Sequence, residues 1–254
     1  MNQVMDYLRN LIEGSGVTIG QFISQTVDYL KTLFEENGAM IGQGILDTLY
    51  MTFTATAVAY ILGLPIGILA EVTRKGGIHP VPFINRILGL IINIGRSIPF
   101  IILLVFVMPV TRLVAGTTIG PTAATVPLII AATPFVARLI ENTLHDVDGG
   151  VIEAARAMGA NDLQIIFKVM LPESLPSMIM GASLATITLV GYTAMAGIVG
   201  GRGLGDIAMR FGYYRYQTDI MIVTIVLLVL FVQAIQNIGH IASKKIDKRG
   251  KGEN

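Results

Sequence analysis

Long apolar runs alternate with short polar stretches along this chain, and the runs set the predicted architecture. Five of them fall at 48–70, 87–110, 123–144, 177–199 and 220–239. Each is close to the roughly 20 residues an α-helix needs to cross a bilayer. The first carries no charge, the second is interrupted by Arg96 and Pro99, and the third holds Pro127 and Pro134. Prolines and glycines survive inside spans where neighbouring helices or a water-filled cavity satisfy the freed backbone groups. The pattern therefore predicts an all-α membrane protein of five transmembrane helices that line a pathway. Residues 1–38 differ. Ile19, Phe22, Ile23, Val27, Leu30 and Phe34 recur at helical spacing, with Gln21, Asp28, Lys31 and Glu35 between them. That spacing predicts an amphipathic helix on the membrane surface or against the bundle. The stretch lacks the basic and then apolar order of a secretory signal. The organisation expected is an N-terminal arm over 1–40, a transmembrane domain over 41–243 and a basic tail over 244–254.

One polar segment, 146–176, separates the third and fourth runs. Asp148 is placed to cap a short helix, and Glu153 to sit in its first turns, where the positive dipole end favours a carboxylate. Ala154, Ala155 and Ala157 favour helix and carry almost no bulk. Gly159 is placed to end that helix in a left-handed conformation. Asn161 and Gln164 are spaced to open a second helix through a capping box, and Leu171-Pro172 is expected to close it. Two short helices meeting at a glycine corner are predicted, the first with an alanine-lined face able to enter another protein's groove.

Composition narrows the class. Apolar residues make up 53% of 254 positions and charged residues 14%, against about a quarter charged in soluble domains. With no cysteine, no disulfide, thiolate nucleophile or cysteine-bound metal is available. A net charge of +1, with no basic stripe, argues against nucleic acid as a partner. Arg74, Lys75, Arg86, Arg156, Lys168, Lys244, Lys245, Lys248, Arg249 and Lys251 fall on one side of the five runs. Arg9, Lys31, Arg112, Arg202, Arg210 and Arg215 fall on the other. The positive-inside rule then puts segment 146–176 and the C-terminus in the cytoplasm and the N-terminus outside.

Glu153-Ala154-Ala155, followed by Gly159 and by Leu171-Pro172, resembles the EAA loop of permease subunits of binding-protein-dependent ABC importers. Val169 stands where that family usually has isoleucine. Further stretches resemble the methionine importer permeases within it: 93–104 with Arg96, Ser97 and Pro99, 127–138, and 188–195 with the glycine-rich 197–205. The resemblance covers roughly 45–243. It implies that Glu153, Ala154, Ala155, Arg156, Met158, Gly159, Leu171 and Pro172 form the coupling element that docks into an ATPase subunit. It also implies a homodimer of permeases in a bacterial cytoplasmic membrane, two ATP-binding subunits that hold ATP and Mg, and an extracytoplasmic substrate-binding lipoprotein. No cofactor is expected in this chain, and no catalytic or metal site. The expected cargo is L-methionine, with D-methionine a candidate, carried by alternating access. The alternatives are another small amino acid or related solute, or an ion-driven secondary transporter, which would carry ionisable residues near the bilayer midplane.

Several other positions admit both a functional and a plainer role. Met195, between small residues near the outer end of the fourth run, suits an apolar pore seal or ordinary packing. Arg96 suits a pathway role or snorkelling to the interface. Glu141, His145 and Asp146 suit a solvated helix end better than a proton relay. Gly201, Gly203 and Gly205 lack the strand and spacing of a nucleotide loop and suit a tight external turn. No G-x-x-x-x-G-K-[ST] occurs. Tyr213, Tyr214 and Tyr216 suit an interfacial aromatic belt.

Overall fold

The computed structural model describes residues 19–247, and every regular element among them is helical. The order is α1 (Ile19–Thr73), α2 (Pro82–Ser97), α3 (Phe100–Phe106), α4 (Met108–Ala115), α5 (Pro121–His145), α6 (Gly149–Ala157), α7 (Asp162–Ile165), α8 (Leu171–Gly197), α9 (Leu204–Ile207) and α10 (Thr218–Ile246). Single π-helical turns, Ile166–Met170 and Ala208–Tyr213, follow α7 and α9. Four helices are long and apolar enough to cross a membrane, within Glu35–Thr73, Pro121–His145, Asp162–Gly197 and Thr218–Ile246. A fifth span is made by α2 and α3 together.

That fifth span corrects the expectation of one run over 87–110. It starts earlier, at Pro82, and bends by 100° between Ser97 and Phe100. Ile98 is extended (φ −83°, ψ 122°) because the ring of Pro99 disfavours helical geometry in the residue before it. Ser97 Oγ donates to the Asn93 carbonyl at 2.7 Å, back along the last turn of α2. Pro65, Pro127, Pro134 and Pro176 do not break their helices. Arm and first span are likewise one helix from Ile19 to Thr73, where two elements were expected. No proline precedes Pro65, and the glycines at 38, 42 and 44 keep helical geometry, so nothing ends the helix at the expected boundary. Residues 1–18 and 248–254, including Arg9 and most of the basic tail, lie outside the described residues.

The core forms where α1, α5 and α8 meet. On α1, Met51, Ala55, Ala59, Gly63, Gly67 and Glu71 are all buried and recur every four residues. On α5, Ala124, Leu128, Ala132, Val136, Ile140 and Leu144 do the same. Two such ridges pack by interdigitation. Contact is closest at the two glycines. A Cβ on Gly67 would lie 2.5 Å from the Ala137 carbonyl oxygen, and one on Gly63 3.0 Å from that of Thr133. This is the small-x-x-x-small spacing by which membrane helices, lacking a hydrophobic drive toward each other, gain close packing. Elsewhere Gly95 of α2 meets the Pro134 ring, and Gly239 of α10 meets Ser183 of α8.

Gly67→Leu is expected to abolish folding or to lower stability by more than about 3 kcal/mol, because its new neighbours include backbone that cannot yield. Gly42→Ala, with nothing within 4 Å of the added Cβ, is expected to raise helix stability by up to about 1 kcal/mol. Thermal unfolding of the detergent-solubilised protein reads both; equal effects would contradict the packing described.

Candidate functional site

Segment 146–176 folds largely as its caps dictate. The Asp148 carboxylate accepts from the Gly150 amide at 2.6 Å and starts α6. At the other end Ala160 N–H donates to the Ala155 carbonyl and Gly159 N–H to that of Arg156, at 3.1 and 3.0 Å, with Gly159 at φ +83°. That is a Schellman ending, which needs a left-handed residue where Gly159 stands. Asn161 then opens α7: its side chain accepts from the Gln164 backbone amide at 2.9 Å, and the Gln164 side chain accepts from the Asn161 backbone amide at 3.0 Å.

Glu153 is exposed and lies in the second turn of α6, within the first turns expected, though far enough from the end that the helix dipole favours it only weakly. Two details differ from expectation. Ala155 is 4% exposed and belongs to the main core, so the alanine face is divided: Ala154 and Ala157 point outward and Ala155 anchors α6 to the bundle. Leu171-Pro172 does not close the second helix. The π turn Ile166–Met170 carries the chain from α7 into α8, with Leu171 N–H bonded to the Ile166 carbonyl. A π turn shifts the hydrogen-bond register by one residue, and Pro172 sits in the opening turn of α8, where its missing N–H costs least. Leu171 packs against the core and Pro172 is exposed.

What remains outward is an apolar surface. Met158 is 83% exposed, Leu163 66% and Phe167 61%, with Val151 and Ala154 beside them. Leu163 and Phe167 were not singled out from sequence, although their outward direction follows once the caps set the helix phase. The loop joining α1 to α2 braces this surface from behind. Arg156 donates to the Ile78 carbonyl at 3.3 Å, and His79 Nδ1 lies 3.5 Å from the Asp162 carboxylate.

A polar cluster underlies the same end of the bundle. Glu71, 5% exposed in its side chain, meets Arg74 just past the end of its own helix and His145 at the end of α5, the latter at 3.4 Å. Glu141 pairs with Arg138 at 2.8 Å, and Arg138 also donates to Asn93 Oδ1 of α2 at 2.7 Å. Of the polar group expected at Glu141, His145 and Asp146, the first two join this network. Glu71 and Arg138 are not evident as members from sequence, because the contacts that join them to His145 and to Asn93 run between helices. Arg96, Ser97 and Pro99 are exposed at the α2–α3 bend.

The opposite end is closed by the glycine turn. Gly200 and Gly203 adopt φ +90° and +88°, and Arg202 φ +62°. Leu204 N–H donates to Thr48 Oγ at 2.9 Å, and that oxygen lies 2.8 Å from where a Cβ on Gly203 would sit. Gly205 packs against the Ala194 backbone. Burial pushes the Asp206 carboxyl above the usual carboxylate range, against the pull of Arg210 at 2.9 Å and of Arg202. Met195, 44% exposed, sits just before this turn, and Tyr213, Tyr214 and Tyr216 are all exposed ahead of α10. Among the described residues, no group of three or more His, Asp or Glu side chains converges as a metal ion would require.

A helical bundle of membrane-crossing length, with a capped apolar segment projecting from one end, is an integral membrane component of the kind that works with other subunits. Residues 63–248 match the family described as binding-protein-dependent transport system inner membrane component, and the chain belongs to that family. It is similar to the probable D-methionine transport system permease protein MetI of Vibrio cholerae serotype O1, with 52% identity over 202 residues, 80% of this chain and 90% of that one. It is 51% identical to the D-methionine transport system permease protein MetI of Escherichia coli K12 over 151 residues, 59% of this chain and 70% of that one. Among solved structures it is similar to a chain in the inward-facing MetNI methionine ABC transporter, with a TM-score of 0.83 and 45% identity, covering 84% of this chain and 99% of that one. An amino acid ABC transporter crystal structure, at TM-score 0.70 and 19% identity, shares the fold.

Glu71→Ala is expected to lower stability by about 1–2 kcal/mol, because it leaves Arg74 and His145 without their acid. That figure is below the range for a fully buried pair, since the two bases are 34% and 56% exposed. His145→Ala should cost less than about 1 kcal/mol. Thermal melts of the two variants give the order; a costlier His145→Ala would contradict this account of the cluster.

Proposed function

We propose that the chain is the permease subunit of an ATP-driven importer of methionine. Two copies form the transmembrane pathway, two ATP-binding subunits hold ATP and Mg and hydrolyse it, and an extracytoplasmic lipoprotein delivers the solute. The observation that carries this reading is the 45% identity, at a TM-score of 0.83, to a chain of the MetNI methionine ABC transporter over 99% of that chain. The basic residues of the loops favour a cytoplasmic C-terminus and an N-terminus outside.

In this mechanism the exposed face of α6 and α7 seats in a groove of the ATP-binding subunit. Glu153 and Arg156 border it, Met158, Leu163 and Phe167 fill it, and the Schellman ending at Gly159 sets the angle between the two helices. Arg156 and the core-anchored Ala155 link that face to the α1–α2 loop and the bundle, so a displacement of the docked segment passes into the spans. The segment continues without interruption into α8, which carries Met195 at its far end. Met195, flexible and apolar, then seals the outer side near the dimer axis by packing and dewetting.

Gly159→Val is expected to be the most damaging change in this segment, because a β-branched residue is poorly suited to a left-handed position. Glu153→Lys should lose a cationic partner on the ATP-binding subunit and about 0.3 kcal/mol or less of dipole energy in the second turn. Both variants should insert in the membrane and lose ATP-driven methionine uptake in vesicles, with reduced co-purification of the ATP-binding subunit. Normal uptake by both at normal expression would refute the docking role. Ala155→Trp should instead impair folding, since its site is filled. For the outer seal, a Met195→Cys pair across the two copies should cross-link in the resting transporter. Failure to cross-link when a pair on the α6–α7 face modifies normally would remove Met195 from the axis.

A further inference from the structure

The last span carries a feature that its hydropathy hides. Gln233, Gln236, Asn237 and His240 recur at i, i+3, i+4 and i+7 in the second half of α10, so they share one face of the helix. All four are exposed, and none has a hydrogen-bond partner among the described residues. The face that α10 turns to the bundle is a different one, formed by Ile220, Thr224, Ile235 and Gly239. The polar stripe lies on the far side of the helix from it, with Gln233 bordering α8.

Lipid is a poor neighbour for such a stripe. In hydrocarbon each amide would leave donors and acceptors unpaired, a cost membrane proteins avoid by turning polar residues inward or toward water. The stripe also adjoins a groove between α8 and α10 of about 340 Å³, lined by Ile187, Gly191, Ala194, Val229 and Gln233. One helical turn from Gly191 on the same face of α8 stands Met195. The outer half of the same α10 face is apolar, with Ile222, Val226 and Val229 exposed on it. One continuous surface of α8 and α10 is therefore apolar toward the glycine turn and polar toward the end that carries α6 and α7.

We propose that this stripe is the wetted wall of the transport pathway: Gln233, Gln236, Asn237 and His240 offer hydrogen bonds to a small zwitterionic solute and its water once it has passed the apolar seal. The inference rests on the permease reading above and adds to it the wall residues and the chemistry they present. Carboxamides and an imidazole donate to a carboxylate and accept from an ammonium without carrying the fixed charge that would hold the solute too tightly to release.

The chain has no cysteine, so single-cysteine variants need no prior replacement. The complete transporter, reconstituted in liposomes, is treated with methanethiosulfonate ethyltrimethylammonium, a permanently charged reagent whose sulfur a hydrated thiolate attacks to form a mixed disulfide, with methanesulfinate leaving. Gln233→Cys, Gln236→Cys, Asn237→Cys and His240→Cys are expected to react at least about tenfold faster than Ile238→Cys and Ile241→Cys, which lie on the exposed flank turned away from the groove, because a thiol ionises only where water reaches it. Equal rates on the two faces would overturn the inference. As a second measurement, Gln233→Leu with Asn237→Leu, which removes polarity without shrinking the helix face, should lower uptake at least about tenfold, or some 1.4 kcal/mol in barrier. Unchanged uptake would overturn it too. The outcomes separate the two readings: methionine uptake without a rate contrast sinks the wetted wall and leaves the permease assignment standing. A rate contrast without methionine uptake keeps the wall and sinks the choice of solute.

Discussion

The close approach of α1 to α5 is the constraint on which the rest of the structure depends. At Gly63 and Gly67 the two backbones come so near that even a methyl group would strike a carbonyl oxygen. In a bilayer no hydrophobic drive pulls one apolar helix toward another, so dispersion contacts over a small-residue surface must supply the association. Six buried positions on α1 and six on α5 meet at fourfold spacing, which fixes the register between them. The α2 helix adds to this pair through Gly95 on Pro134 and through Asn93 on Arg138. Every element that carries function hangs from that framework.

The register places opposite chemistry at the two ends. Toward the end of α1, the same fourfold row that begins with Met51 finishes on Glu71, a buried acid that draws Arg74 and His145 to it. Beneath this cluster the α1–α2 loop holds Arg156 and faces Asp162, so the projecting segment is braced by backbone and charge together. At the other end the row's neighbour Thr48 accepts from the glycine turn, and Gly205 closes on Ala194. One end is thus tied by charged side chains across helices, the other by a single hydroxyl and by backbone packed on backbone. The first kind of tie can re-form after a small shift of its partners, whereas the second holds only at one spacing.

Much of this was legible in the chain. Local chemistry decided the helical class and the two capped helices of 146–176, because a cap is an interaction over three or four residues: Asp148 with Gly150, Asn161 with Gln164, Gly159 with the carbonyls just behind it. The bend at Pro99 was visible as a proline, although not as a turn of 100°. The glycine turn at 197–205 was legible for the same reason, since φ values near +90° at Gly200 and Gly203 need no partner from elsewhere.

Long-range contacts decided what remained. Whether Ala155 faces a partner or the core depends on where α6 lies against the bundle, and the structure buries it. Proline rules end a helix at Leu171-Pro172 by local geometry, yet a π turn continues it into α8, since the surrounding bundle holds the chain in line. Glu71 and Arg138 each have an ion-pair partner three residues away in sequence, but their links to His145 and to Asn93 form only across helix boundaries. The amides of α10 recur at helical spacing, and only the packing of that helix shows the bundle on its opposite side. Caps, turns and hydropathy are short-range terms that a sequence determines by itself; which face of a helix meets which neighbour is a property of the whole packed bundle, and tertiary structure alone decides it.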